Sequence, residues 1–288
     1  MVKMKQTPGS VIFNVVNTVI LLAISLLTLY PFAYLLMVSF SPIEEFMKST
    51  VFPLHTNFTL ESYQYVFHHS QLLNGYGVTI IITVGGTLLN LALSALGAYV
   101  LSQKQVFGRR LFTTMIIITM VFNGGLIPNY LLVKSLHLTD TLWALILPCG
   151  INTFWMIIMR NFFAGIPTSL SESARIDGCS EYGILFRIIL PLSGPVMASL
   201  ALFYGVQHWN EYFNAIIYIN KDTLMPLQVL VRQMYQSSSA VISSDAMPAP
   251  VETTRAATVM VATLPILCLY PFLQKYFVKG MMVGAVKG

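Results

Sequence analysis

The sequence predicts an all-α integral membrane protein with about six transmembrane helices, each needing about 20 apolar residues to cross a bilayer. Three observations predict it. Only 9% of the 288 residues are charged and 56% are hydrophobic, whereas a soluble domain carries about 25% charged residues. The mean hydropathy is +0.71. Apolar stretches of spanning length recur along the chain, separated by short polar segments. So little charge cannot coat a surface facing water, but a surface facing lipid needs no such coat.

The first span is expected over Val11–Phe40. Lys3 and Lys5 precede it, as in a signal peptide, but the run exceeds an h-region of about 7–15 residues and no small-x-small cleavage site ends it. It reads as a retained anchor. The second span is expected over Gly75–Leu101, the third over Leu111–Val133 and the fourth over Thr141–Met159. The fifth is expected over Ile188–Ile219 and the sixth over Ala256–Phe277. Pro31, Pro128, Pro195 and Pro265 fall in or near these spans, where neighbouring helices can satisfy the backbone groups they free.

Basic residues set the orientation. With the N-terminus inside, 11 of the 16 Lys and Arg residues fall in inside segments. Both termini are therefore expected in the cytoplasm. Residues 1–10 form an inner tail, 11–277 the transmembrane domain and 278–288 a second inner tail. Two outer segments are long, at about 41–74 and about 220–255. The second holds Ser237–Ser239 and Met247–Pro250, which is loop composition. It is read as a tether or as a docking element.

The net charge of +5 does not point to nucleic acid, because the basic residues are scattered between apolar spans. Cys149, Cys179 and Cys268 lie far apart without metal-ligand spacing. They read as small buried hydrophobes. No phosphate-cradling G-x-x-x-x-G-K-[ST] motif, no H-E-x-x-H and no Gly-x-Ser-x-Gly elbow occurs. The chain therefore cannot drive transport by hydrolysing ATP itself, and no enzyme activity is expected.

The most informative stretch lies in the inner loop at about 160–187 and runs on to Pro191: IPTSLSESARIDGCSEYGILFRIILP, Ile166–Pro191. Ser169 and Glu172 fit a capping box that would open a short helix. Gly178 can end that helix in the left-handed conformation. Ser180 can cap a second helix that leads into the fifth span. This helix–glycine–helix elbow is either a structural connector or a docking knob for a soluble partner.

That stretch resembles the cytoplasmic motif of ABC importer permeases: E-A-A, three residues, G, about nine residues, then I-x-L-P. Glu172-Ser173-Ala174 fills the triplet, with Ser173 departing from the usual alanine. Asp177-Gly178 fills the centre and Ile189-Leu190-Pro191 ends it. Phe58–Tyr63, Leu126–Tyr130, Trp143–Pro148, Trp209–Tyr212 and the tail Val278–Gly288 resemble the carbohydrate branch, notably the smaller permease of maltose-type and oligosaccharide importers. The resemblance implies the type I ABC importer permease architecture in a bacterial cell membrane. It implies a second homologous permease, two cytoplasmic ATPase subunits that hold ATP and Mg, and an extracytoplasmic sugar-binding protein. No cofactor is implied in this chain. Ser169, Glu172, Ser173, Ala174, Asp177, Gly178, Leu190 and Pro191 become the expected ATPase-coupling residues, with Glu172 paired to a basic residue of the ATPase. The outer segment at about 220–255 is expected to touch the loaded binding protein.

The fifth span carries Tyr204, Gln207, His208, Trp209, Asn210, Glu211 and Tyr212. Three- and four-residue spacings put several of them on one stripe. A polar stripe in an apolar span faces the bundle interior or a cavity. It is read as lining a substrate path, with helix–helix glue or an interfacial aromatic belt as alternatives. Carbohydrate import is the leading expectation. The same machinery for a polyol or glycerol phosphate, or a stand-alone secondary transporter, is the alternative.

Overall fold

A computed structural model describes residues 8–42, 46, 57–68, 70–240 and 252–268. Every regular element among them is helical. They fall in two compact units, one within Met1–His69 and Gln233–Thr263, the other within Ser70–Arg232 and Leu264–Gly288.

In the first unit, α1 (Pro8–Ser39) is a continuous apolar helix that tolerates Pro31 in its interior. Leu26 and Leu27 are exposed on it, as suits a helix surrounded by lipid or another subunit. A short α2 (Glu61–His68) follows. The Tyr63 hydroxyl and Ser39 Oγ are hydrogen-bonded at 2.8 Å, and the Phe40 and Tyr63 rings lie 4.9 Å apart.

The second unit is organised around α3 (Ser70–Ser102), which starts five residues earlier than its expected Gly75. Among the described residues, only α1 and α3 are long and apolar enough to span as single helices. The expected third span is two helices, α4 (Arg109–Val121) and α5 (Leu126–Ser135), bent by 112°. The cause is the Asn123-Gly124-Gly125 turn, where the Asn123 side chain accepts from the Gly125 N–H at 3.0 Å. A side chain that bonds the backbone two residues on competes with the helix ladder. The fourth span also departs from its expected bounds: a short α6 (Trp143–Ile146) precedes α7 (Thr153–Ala164), which the Asn152 side chain caps through the Trp155 N–H.

The expected fifth span is broken twice. After α8 (Thr168–Ile176), a turn leads to α9 (Glu181–Ile184), a π segment at Leu185–Ile189 and α10 (Leu190–Leu192). A bend of 84° at Ser193 then opens α11 (Gly194–Trp209). Pro191 and Pro195 flank that bend, and each removes a ladder donor. Asn210–Tyr212 interrupt the run again before α12 (Phe213–Tyr218). Counting each bent pair as one span gives up to four spans among the described residues. Residues 269–277 of the expected sixth span lie outside the described residues, as do both termini; residues 252–268 are helical, forming α14.

The outer segment at about 220–255 was expected to be loop. Instead Leu227–Ala240 forms α13, and Ser237–Ser239 fall within it. Packing of an amphipathic face outweighs the serine composition. Met247–Pro250 lie outside the described residues. Of the cysteines, Cys149 and Cys179 are half-buried, but Cys268 is exposed, which corrects the expectation that all three are buried.

Candidate functional site

The elbow at 166–191 is a closed knuckle. The helix α8 begins two residues earlier than the capping box requires. Pro167 stands at the N-cap with φ −57° and ψ 126°, no side chain caps the end, and Ser169 is already inside the helix. The expected Ser169 cap is therefore absent. Its C-terminus is closed instead by two backbone bonds: Cys179 N–H to the Ala174 carbonyl at 2.9 Å and Gly178 N–H to the Arg175 carbonyl at 3.0 Å. This is a Schellman closure, and it needs Gly178 at φ +81°. Ser180 caps α9 as expected, accepting from the Gly183 N–H at 3.2 Å.

Charge locks the two short helices together. Arg175 donates from Nε to Glu181 Oε1 at 2.7 Å and from a terminal nitrogen to Glu181 Oε2 at 3.2 Å. The second carboxylate oxygen also accepts from the Tyr99 hydroxyl at 2.6 Å, and Arg175 reaches Gln103 Oε1 at 3.4 Å. Tyr99 belongs to α3 and Gln103 follows its last turn. At the other entrance of the loop, Arg160 Nε donates to the Leu101 carbonyl at 3.2 Å. The knuckle is thus fastened to one end of α3 at three points. The carboxylate beside Arg175 raises that guanidinium's already high pKa, so it stays charged at any working pH. Sequence reasoning passed over Tyr99, Arg160, Arg175 and Glu181. Its only available signal was the opposite charge of Arg175 and Glu181 across the glycine.

The expected coupling residues separate by face. Ser169, Glu172 and Ser173 follow helical spacing and are exposed, and Ile176, not among the expected residues, shares their face at 86% exposure. Ala174 and Leu190 turn inward against a core that includes Ala98, Met159, Ile184 and Leu185. Asp177 is the C-cap of α8, and Pro191 is exposed beside the bend. An exposed acidic-and-apolar face on a rigid backbone can fit a groove on another subunit. Hydrogen bonds from Tyr99 to Glu181 and from Arg175 to Gln103 connect it to the end of α3.

The second candidate group begins in α11 and continues past its end. Tyr204 and His208 are fully buried. The Tyr204 hydroxyl meets Ser94 Oγ at 2.7 Å and accepts from the Asn152 N–H at 3.3 Å. His208 Nε2 lies 3.4 Å from Asn90 Oδ1. The Glu211 carboxylate, 6% exposed, accepts from the Asn214 N–H at 3.0 Å and side-chain amide at 3.1 Å. Trp209 is buried, Gln207 and Tyr212 are half-buried, and Asn210 alone is exposed. Tyr204 and His208 meet α3 through Ser94 and Asn90, whereas Glu211 is engaged by Asn214 beyond the end of α11.

Comparison with known proteins gives this arrangement its family. The model of the family described as "Binding-protein-dependent transport system inner membrane component" matches residues 94–283. The chain is similar to Protein LplC of Bacillus subtilis, with 45% identity over 99% of this chain and 98% of that protein. It is also similar to the polygalacturonan/rhamnogalacturonan transport system permease protein YtcP of Bacillus subtilis, with 43% identity over 93% and 96%. Among solved structures it resembles a chain of a bacterial ABC transporter involved in the import of the acidic polysaccharide alginate. There the TM-score is 0.86 at 32% identity, covering 94% of this chain and 98% of that one. The family match spans most of the knuckle's supports as well as the knuckle, and the chain belongs to the binding-protein-dependent transport system inner membrane component family of ABC transporter permeases.

Proposed function

We propose that the chain is one of two homologous permeases of an ATP-driven importer of oligosaccharides in a bacterial cell membrane. Two cytoplasmic ATPase subunits, holding ATP and Mg, would grip the knuckle, and an extracytoplasmic binding protein would deliver the sugar. Both chain termini and the knuckle would lie in the cytoplasm, in keeping with the distribution of Lys and Arg. The observation that carries this reading is the knuckle itself: a face of Ser169, Glu172, Ser173 and Ile176 exposed on a helix locked to α3 by Glu181. Motion of an ATPase would tilt the knuckle as a body and drag α3 with it. The sugar class rests on relatives named for polygalacturonan/rhamnogalacturonan transport and for alginate import.

Cysteine crosslinking tests the docking face. Ser173→Cys and Ile176→Cys should trap an ATPase subunit, and Ala174→Cys, turned inward, should not. If all three behave alike, the assigned face is wrong. Uptake of a panel of labelled oligosaccharides, in cells with and without the chain, tests the cargo. A chain-dependent loss confined to polyols or glycerol phosphate would replace the carbohydrate reading while keeping the machine.

A further inference from the structure

At the end of α3 that holds the knuckle, the start of α4 and the end of α7 enclose a second feature, which shares Arg160 with the knuckle's fastenings. Arg109, Arg110, Thr113 and Thr114 of α4 and Arg160 of α7 line a cavity of about 540 Å3. Three arginines from two helices line it. Arg109 and Arg160 are near enough to repel each other. Arg160 is held in place by the Leu101 carbonyl at 3.2 Å and by Asn161 Oδ1 at 2.9 Å. Among the described residues no carboxylate forms a salt bridge with any of the three, in contrast to Arg175 with its Glu181. The hydroxyls of Thr113 and Thr114 donate to the carbonyls of Arg109 and Arg110. Donors for a ligand therefore come from the guanidiniums.

Converged positive charge without a counterion costs free energy that an anion would recover. Planar guanidinium forks match phosphate oxygens two at a time. The surroundings point to the source of that phosphate. No residue of α4 is buried. Phe107 is 98% exposed, Leu111 58% and Phe112 52%, so an apolar wall adjoins the basic cavity. Basic pockets between helices beside apolar surface suit anionic headgroups. We infer that this pocket binds the phosphate group of an anionic membrane lipid, whose acyl chains lie along α4. The inference is independent of the cargo and of the coupling face. Sequence alone hides the site, because Arg160 stands about 50 positions from its partners and joins them only through folding.

The test measures lipid retained by the purified importer complex. The complex is exchanged into micelles containing equal amounts of phosphatidylcholine and phosphatidylglycerol, and bound lipid is quantified. The wild type should retain phosphatidylglycerol preferentially. The paired substitution Arg109→Gln with Arg110→Gln should weaken that retention about thirtyfold, from the typical contribution of two arginines near an anionic surface. The same variant should unfold at the wild-type temperature in phosphatidylcholine alone, losing only the extra stabilisation that phosphatidylglycerol gives. Equal retention by wild type and variant overturns the inference. Full displacement of the lipid by inorganic phosphate also overturns it, and assigns the pocket to free phosphate. Loss of another subunit from the variant, with phosphatidylglycerol retention unchanged, assigns the arginines to a protein contact instead.

Discussion

The knuckle and the seam between α3 and α11 use the same hydrogen-bonding chemistry in opposite surroundings. In the seam, Tyr204, His208, Asn90 and Ser94 are all 0% exposed. In the knuckle, the side chains of Arg175 and Glu181 are 30% and 54% exposed. Where water is excluded, each bond matters chiefly because losing one partner strands the other, at about 1–3 kcal/mol. Where water competes, an ion pair contributes at most about 1 kcal/mol, yet its neighbours remain free to meet a partner. The contrast separates roles that polarity alone could not. The seam fixes the distance between two long helices, and the knuckle offers a shaped surface. Three perturbations test that division, in falling order of effect.

The largest belongs to the seam. A Cβ at Gly86 would crowd the His208 ring, whose Cε1 and Cδ2 would lie 2.6 and 2.8 Å away, and the ring is fully buried. Gly86→Leu should destabilise the purified permease complex by about 3 kcal/mol, the upper end for overpacking. The gain of about 1 kcal/mol from replacing a helical glycine does not offset this. Adding His208→Ala returns space, so the double variant should unfold at a higher temperature than the sum of the two single changes gives. Strict additivity would mean that α3 and α11 do not touch at this point.

The knuckle should respond less in stability and more in coupling. Glu181→Ala removes the Arg175 fork and the acceptor of Tyr99 together. Because the pair is partly exposed, the expected loss of thermal stability is about 1 kcal/mol. If force passes through this carboxylate to α3, sugar taken up per ATP hydrolysed should nevertheless fall several-fold. Glu181→Gln keeps an acceptor and should fall less. Unchanged uptake per ATP in Glu181→Ala, in a complex that still assembles, would reduce the clamp to a local staple.

The two regions were unequally legible in the sequence. The apolar runs that became α1 and α3 stand out, because a lipid-facing helix needs no periodicity to be recognised. The knuckle was legible through local chemistry: Gly178 and Ser180 act within a few residues of themselves, and both behave as expected. The Ser169 cap failed because Pro167, two residues earlier, already starts the helix. Breaks inside the expected third and fifth spans were missed for a related reason. Hydropathy averages over Asn123–Gly125 and over Pro191–Pro195, whereas backbone geometry does not. Long-range partnerships were out of reach altogether. Nothing near Tyr99 announces Glu181, and nothing near Tyr204 announces Ser94, so these contacts appear only once α3 is in place.

The smallest expected effect concerns a third junction, which shares the exposure of the knuckle but not its paired charges. Asp140, in the left-handed region at φ +58°, receives the Asn220 N–H, the Lys221 N–H and the Asn220 side-chain amide on its carboxylate. Its own N–H donates to the Tyr218 carbonyl at 2.9 Å. The Asn220 N–H above all holds this carboxyl below the ordinary aspartate value of 3.8. A depressed pKa in the folded state means that the stabilisation is complete above the unfolded value and is lost as pH falls through the folded one. Hydrogen-exchange protection of the Asn220 and Lys221 amides should therefore stay level from neutrality down to that ordinary value and drop only below it. Asp140→Asn, which lacks the charge at every pH, should lower the protection throughout. A decline beginning near neutral pH would show that some other group, titrating higher than Asp140, holds this turn.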